Sequence, residues 1–177
     1  VLGPFEGQDD LAARQVRVVH TQRLQDDPPR LFRAVRYEQR FGFQLAPETL
    51  EQVPAGLAAI PALSGERARH ELELIVAEPQ APAMLTRLAS LGALAALHPA
   101  LSWGEFQAQQ AEVIPALPLD EWRLAGQIER LSVYLTLLLS DAAPGEARAA
   151  LLRLDAGRRL AEAVLAALAL RLAAGPA

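Results

Sequence analysis

The sequence has no cysteine and no lysine. Without cysteine there is no disulfide, no thiolate nucleophile and no sulfur ligand for a metal, a usage that fits a cytosolic protein. Without lysine, all 17 positive charges are arginine guanidinia, planar five-donor forks that stay charged at physiological pH. A GC-rich genome produces the same bias. Aromatic residues make up only 5% of the chain, and Trp103, Trp122 and Tyr134 sit among Leu and Ala, which points to packing and not to base-stacking platforms. No uncharged apolar run approaches the ~20 residues needed to span a bilayer. The nearest stretch, Ala161 to Leu172, contains Glu162 and Arg171 and reads as an amphipathic helix, and no signal peptide is visible, so no membrane partner is expected.

Several catalytic signatures are also missing. There is no G-x-x-x-x-G-K phosphate loop, no H-E-x-x-H and no G-x-S-x-G elbow. The three histidines are dispersed, and His20 reads as a strand-end residue. Two-metal phosphoryl transfer needs carboxylates that hold both ions about 4 Å apart. Neither Asp9 with Asp10 nor Asp26 with Asp27 makes such a cage. We therefore expect no catalytic residue and no metal site in this chain.

What is present is a soluble, helical composition: 177 residues, 51% hydrophobic and 21% charged, enough for a real core in one domain or two small ones. The net charge of −4 argues against a generic polyanion binder, but the signs are unevenly spread. Residues 30–40 hold four Arg against one Glu, whereas residues 101–177 hold seven Arg against nine acids, so a nucleic-acid surface is expected toward the N-terminal half. The first residue is Val, which leads us to expect a piece of a longer protein.

The stretch from Asp26 to Phe43 organises the rest. Asp27 can cap a helix whose first turn holds Pro28 and Pro29 and which Gly42 can close. At about 100° per residue, Leu31, Phe32, Ala34, Val35 and Phe41 share one side, and Arg30, Arg33, Arg36 and Arg40 gather on the other. The arginines can form a solvated basic face behind a capping Asp, or they can contact phosphates and read a base edge. Glu38 falls inside the apolar arc and demands a partner.

Before this helix the chain is turn-rich, and Val16 to His20 reads as an edge strand or hairpin arm completing a sheet that lies elsewhere. After it come a short helix over Ala46 to Val53, a break at Ile60 to Leu63, and a helix from Gly65 to Ala77 capped by Ser64. On that helix Arg67/Glu71 and Arg69/Glu73 have i,i+4 spacing, and His70 reads as a boundary residue. The remainder reads as helices over Pro82 to Leu97, Asp120 to Leu139, Pro144 to Leu154 and Asp155 to Ala173, with a loop or short helices over residues 99–119.

Four segments in order, Phe5 to Leu11, Val16 to Val18, Asp26 to Tyr37 with Phe41 to Phe43, and Leu63 to Leu72, resemble the class II tRNA nucleotidyltransferase and bacterial poly(A) polymerase family. The likeness is specific over residues 5–98, and beyond His98-Pro99 it is only to helical body-type sequence. It implies a mainly α chain of multi-helical neck and body domains with a short N-terminal β/turn remnant of a preceding head. Residues 1–24 would end the head, 25–80 form the neck and 81–177 the body and tail.

The resemblance also implies roles. Asp27 and Arg30 would make base-edge hydrogen bonds, with Asp26 orienting the arginine. Arg33, Arg36 and Arg40 would touch phosphates, RNA or the head, or else support acidic neighbouring helices. Arg67, Arg69 and Glu71 would brace the neck. Mg2+ would be bound by the head of the intact enzyme, the partners would be ATP or CTP and an RNA 3′ end such as that of tRNA, and this chain alone would be inactive. Pro29 and Glu38 depart from the family's pattern. The rival readings are a non-catalytic helical RNA-binding or scaffolding protein and an unrelated helical interaction domain, and the latter has no use for the acid pair, the arginine and the second motif together.

Overall fold

Helix α3, Pro29–Phe41, is the centre of a mainly helical chain. The structure, a computed structural model, describes residues 7–18, 23–116, 121 and 129–174. Leu31, Phe32 and Val35 on α3 have no exposed surface, which fixes the face that enters the core. Gly42 stops the helix in the left-handed conformation (φ 62°), its N–H donating to the Glu38 carbonyl. Two details of the expected helix change. The N-cap position falls on Pro28 with no side-chain cap, and Asp27 contributes its backbone carbonyl to Arg30 N (3.0 Å) while its carboxylate turns elsewhere. Phe41, about 80° round from Leu31 on the side away from Phe32, leaves the core and is 56% exposed, packing with Tyr37 and Phe43 at centroid separations of 6.0 and 5.8 Å.

The segment before α3 is more helical than its sequence suggests. Helix α1 covers Gly7–Ala12 and α2 covers Arg23–Asp26. Strand β1, Gln15–Val16, does not form a hairpin: it pairs in parallel with β2, Gln44–Leu45, just beyond α3. Val18 N donates to Thr49 Oγ1 (2.9 Å), and Arg17 bridges Asp10 (3.0 Å) and Glu48 (2.7 Å), so side chains after β2 secure the strand in place of a turn. His20 lies outside the described residues.

Helix α4 runs through Pro54 from Pro47 to Ala59, further than expected, with Thr49, Val53 and Gly56 buried on either side of the proline. A 3-10 turn, Ile60–Ala62, leads to α5, Gly65–Val76, where Ser64 Oγ accepts from Arg67 N as its sequence implies (3.3 Å). The expected single helix over Pro82 to Leu97 is two, α6 (Ala81–Ser90) and α7 (Ala93–Leu97), because Gly92 takes φ 83° between them. Helix α8, Glu105–Glu112, and a second 3-10 turn, Ile114–Ala116, follow.

Helix α9, Arg130–Leu138, begins after an extended Glu129, so it does not run unbroken from Asp120; Asp120 and Trp122 lie outside the described residues. Helix α10 is Pro144–Arg153, close to its expected bounds. Helix α11, Arg158–Ala174, starts later than expected because Asp155 adopts φ 49° and does not cap it. Helix α3 packs on α5 and α6, α9 packs on α5, α8 and α11, and one buried cluster extends from Leu24 to Leu168. Trp103 and Tyr134 stack within it at 6.1 Å, with Trp103 Nε1 donating to Thr86 Oγ1 (3.1 Å), in keeping with a packing role.

The partner demanded by Glu38 is Arg87 on α6. Its Nε and Nη2 donate to the buried carboxylate at 2.9 and 3.3 Å, and Leu45 N donates a third hydrogen bond at 3.0 Å. Arg87→Ala leaves that carboxylate buried without its cation and is expected to cost about 3 kcal/mol. Guanidinium unfolding midpoints test this, and a loss no larger than that of an ordinary surface substitution would show that Glu38 is satisfied by other means.

Candidate nucleotide-base site

The start of α3 and the start of α5 meet at one carboxylate. Arg30 Nε donates to Asp27 Oδ2 (3.0 Å), an i,i+3 pair made by the first turn of α3. From α5, Arg67 Nη2 reaches Asp27 Oδ1 (3.2 Å). The Asp27 and Arg30 side chains are 38% and 37% exposed, so the bridge lies at the surface, open to a ligand. Arg30 spends its Nε on Asp27 and keeps its Nη donors, while the carboxylate has lone pairs beyond the two in use. An acceptor and a donor thus stand side by side.

The other expected site residues divide. Asp26 ends α2, exposed, and it is Asp27 that holds Arg30. Arg33 is exposed and makes no ion pair among the described residues. Arg36 and Arg40 do not stand free: both converge on Glu78 in the turn after α5, Arg36 at 3.6 Å and Arg40 through Nε (3.2 Å) and Nη2. The backbone carbonyl of Glu78 also accepts from Arg130 Nη2 (3.3 Å) on α9. Arg69 pairs with Glu73 (2.8 Å) as its spacing implies, whereas Arg67 passes over Glu71 to reach Asp27.

Glu71 faces this cluster from α5, and its Oε2 is buried without a hydrogen-bond partner, as is Arg36 Nε. Burial raises its carboxyl pKa above the ordinary value, against the opposing pull of Arg36, His70 and Arg33. Arg87 and Glu78 were not identifiable as partners from the sequence. The available signal was Glu38, a carboxylate in an apolar arc that required a cation. Among the described residues no group of three or more His, Cys, Asp or Glu is placed to hold a metal.

Comparison with known proteins bears on this arrangement. Residues 42–103 match the family described as the probable RNA- and SrmB-binding site of polymerase A. An A-adding tRNA nucleotidyltransferase of Geobacter sulfurreducens is 31% identical over 146 residues, which cover 80% of this chain and 16% of that protein. A CCA-adding enzyme in complex with CTP superposes with a TM-score of 0.75 at 26% identity, over 91% of this chain and 39% of that one. Over most of its length the chain is similar to part of the class II tRNA nucleotidyltransferases and poly(A) polymerases. A Thermotoga maritima CCA-adding enzyme complexed with tRNA gives a TM-score of 0.72 at 25% identity, over 90% of this chain and 40% of that one. The chain therefore spans well under half the length of these relatives. Within the family-matched segment lie Arg67, Glu71, Glu78 and Arg87, while Asp27 and Arg30 lie before it.

The raised pKa of Glu71 fixes the sign of a pH effect. The folded chain holds this proton more tightly than the unfolded one, so stability falls as pH rises from the unfolded value through the raised folded value, and the loss is complete above it. Glu71→Gln, which stays neutral, is expected to flatten that part of the profile and to be more stable than the wild type at neutral pH. Urea midpoints from about pH 4 to about pH 8 test this, and an unchanged slope would exclude Glu71 as its source.

Proposed function

We propose that this chain supplies the base-reading and RNA-holding part of a template-independent nucleotidyltransferase that adds CCA, CC or A to tRNA 3′ ends, or poly(A) to RNA. The observation that carries the proposal is the surface bridge in which Asp27 is held between Arg30 and Arg67. On their pairing edges, adenine and cytosine each set an exocyclic amine donor beside a ring-nitrogen acceptor. A carboxylate beside a guanidinium complements that order and opposes the reversed order of guanine and uracil. The relatives support the substrate class, since they include a tRNA nucleotidyltransferase and CCA-adding enzymes solved with CTP and with tRNA.

In this reading residues 25–80 form the neck, residues 81–177 form the body and tail, and residues 1–24 close a head that carries the chemistry. Mg2+ and the metal-holding carboxylates belong to that head, so the chain by itself transfers no nucleotide. Arg33 is available for phosphate or head contact, while Arg36 and Arg40 serve the support role through Glu78. Acceptor RNA is received by shape and backbone contacts, in the cytoplasm.

Asp27→Ala and Arg30→Ala in the full-length protein are expected to reduce discrimination between accepted and rejected nucleotides by about tenfold while tRNA affinity is kept. Steady-state kinetics with each of the four nucleotides, alongside tRNA titration, test it. Unchanged nucleotide preference in both variants removes the base-reading assignment.

A further inference from the structure

Helix α5 sits as close to the body as it does because its first residue, Gly65, has no side chain. A Cβ at this position would lie 2.6 Å from the Arg153 carbonyl oxygen and 2.9 Å from both the Cβ and the backbone nitrogen of Asp155. Two of those atoms are backbone, so relief requires an element to move.

The opposing surface is the corner between α10 and α11, and it is fixed by its own bonds. Arg153 Nη2 donates to the Ile60 and Pro61 carbonyls at 3.2 and 3.4 Å. Asp155 N and Ala156 N donate to Leu152 and Leu151 carbonyls at 3.0 and 2.9 Å, and Asp155 is held at φ 49°, which a non-glycine residue keeps only where its surroundings enforce it. Leu151 and Leu154 anchor the corner in the core.

On the other side of the contact the chain leads directly to the base site. Ser64 accepts from Arg67 N, and the Arg67 guanidinium reaches Asp27, whose other oxygen holds Arg30. The corner, the first turn of α5, Arg67 and the Asp27 bridge are thus contacts in series.

We propose that Gly65 is a positioning residue for nucleotide selection: through its bare Cα the α10–α11 corner sets the first turn of α5, and with it the point at which Arg67 holds the Asp27–Arg30 pair. This rests on the base-reading role of Asp27 and Arg30. A larger residue at position 65 pushes the turn off the corner and carries Arg67 away from Asp27, so a contact in the body is read out at the base.

The experiment is a double-mutant cycle in the full-length protein, reading the ratio of kcat/KM for an accepted nucleotide, ATP or CTP, to that for a rejected one, GTP or UTP. Gly65→Ala is expected to change the ratio at least about threefold, as is Arg67→Ala, and Gly65→Ala made on top of Arg67→Ala is expected to change nothing further. Arg153→Ala, which adds no atom and frees the corner from Ile60 and Pro61, is expected to show the same dependence on Arg67, and it decides the question if Gly65→Ala does not fold. The proposal is overturned if Arg67→Ala leaves the ratio unchanged, if Gly65→Ala and Arg153→Ala leave it unchanged, or if their effects persist undiminished without Arg67. Asp27→Ala and Arg30→Ala run alongside separate the two readings. If they alone shift the ratio, the Gly65 proposal fails and the base-reading assignment stands; if they too are silent, the assignment itself fails.

Discussion

Helix α3 carries four guanidinia and one buried carboxylate, and the groups that answer Glu38, Arg36 and Arg40 decide where the neighbouring helices sit. Glu38 points into the core, where Arg87 of α6 and the backbone of β2 meet it. Arg36 and Arg40 leave the other side of the helix and converge on Glu78, whose own carbonyl takes Arg130 of α9. A charge left unpaired at such depth costs several kcal/mol, far more than a small shift of a helix can recover through apolar contact. The turn after α5, helix α6 and the start of α9 are therefore bound to α3 by charge as well as by the apolar cluster around Leu31, Phe32 and Val35.

This changes what the arginine face can do. Four free guanidinia on one face would gather phosphate through counterion release, in proportion to the number of charges neutralised. In the fold, two are committed to Glu78 and a third to Asp27, which leaves Arg33 as the one arginine of that face without an ion pair among the described residues. Such a surface is poor at attracting a polyanion at a distance and well suited to discriminating hydrogen-bond patterns at contact, which accords with a net charge of −4 on the whole chain.

Local rules were enough for the features whose cause is local. Gly42 as a helix stop, Ser64 as a cap, Pro144 as a helix start and the Arg69–Glu73 pair all depend on residues at most four apart. The misses come from competition between local and distant partners. Arg67 has Glu71 at i,i+4 but binds Asp27, 40 residues away, because α3 and α5 pack with their starts together. Glu38 and Arg87 are 49 residues apart, and only the crossing of α3 with α6 brings them into contact. In the Ala/Leu-rich half the periodicity is continuous through Gly92, so that break becomes visible only through its positive φ. Residues 7–18 and 23–26 mislead for a related reason: α2 packs on α4, α1 packs on β1, and β1 is held by β2 and Thr49, not by their own propensities.

One carboxylate serving two cations recurs at Glu78 and Asp27, and arginine is the side chain that makes it workable. A lysine ammonium is a single hydrated point, whereas a guanidinium is a planar fork with donors along two edges, so it can hold a carboxylate with one edge and retain the other. At Glu78 the surroundings close over the group, with the side chains of Glu78 and Arg36 only 11% and 13% exposed, and the arrangement is a structural joint. At Asp27 and Arg30 the exposure is about three times greater, and the second edge of the fork stays open beside unused carboxylate lone pairs. The same pairing chemistry therefore gives a buried joint in one place and a donor–acceptor surface in the other. What separates them is the depth of the carboxylate: Arg40 is as exposed as Arg30, but it grips an acid that is 11% exposed where Asp27 is 38% exposed, so the burial of the acid decides whether the pair is a joint or an open surface.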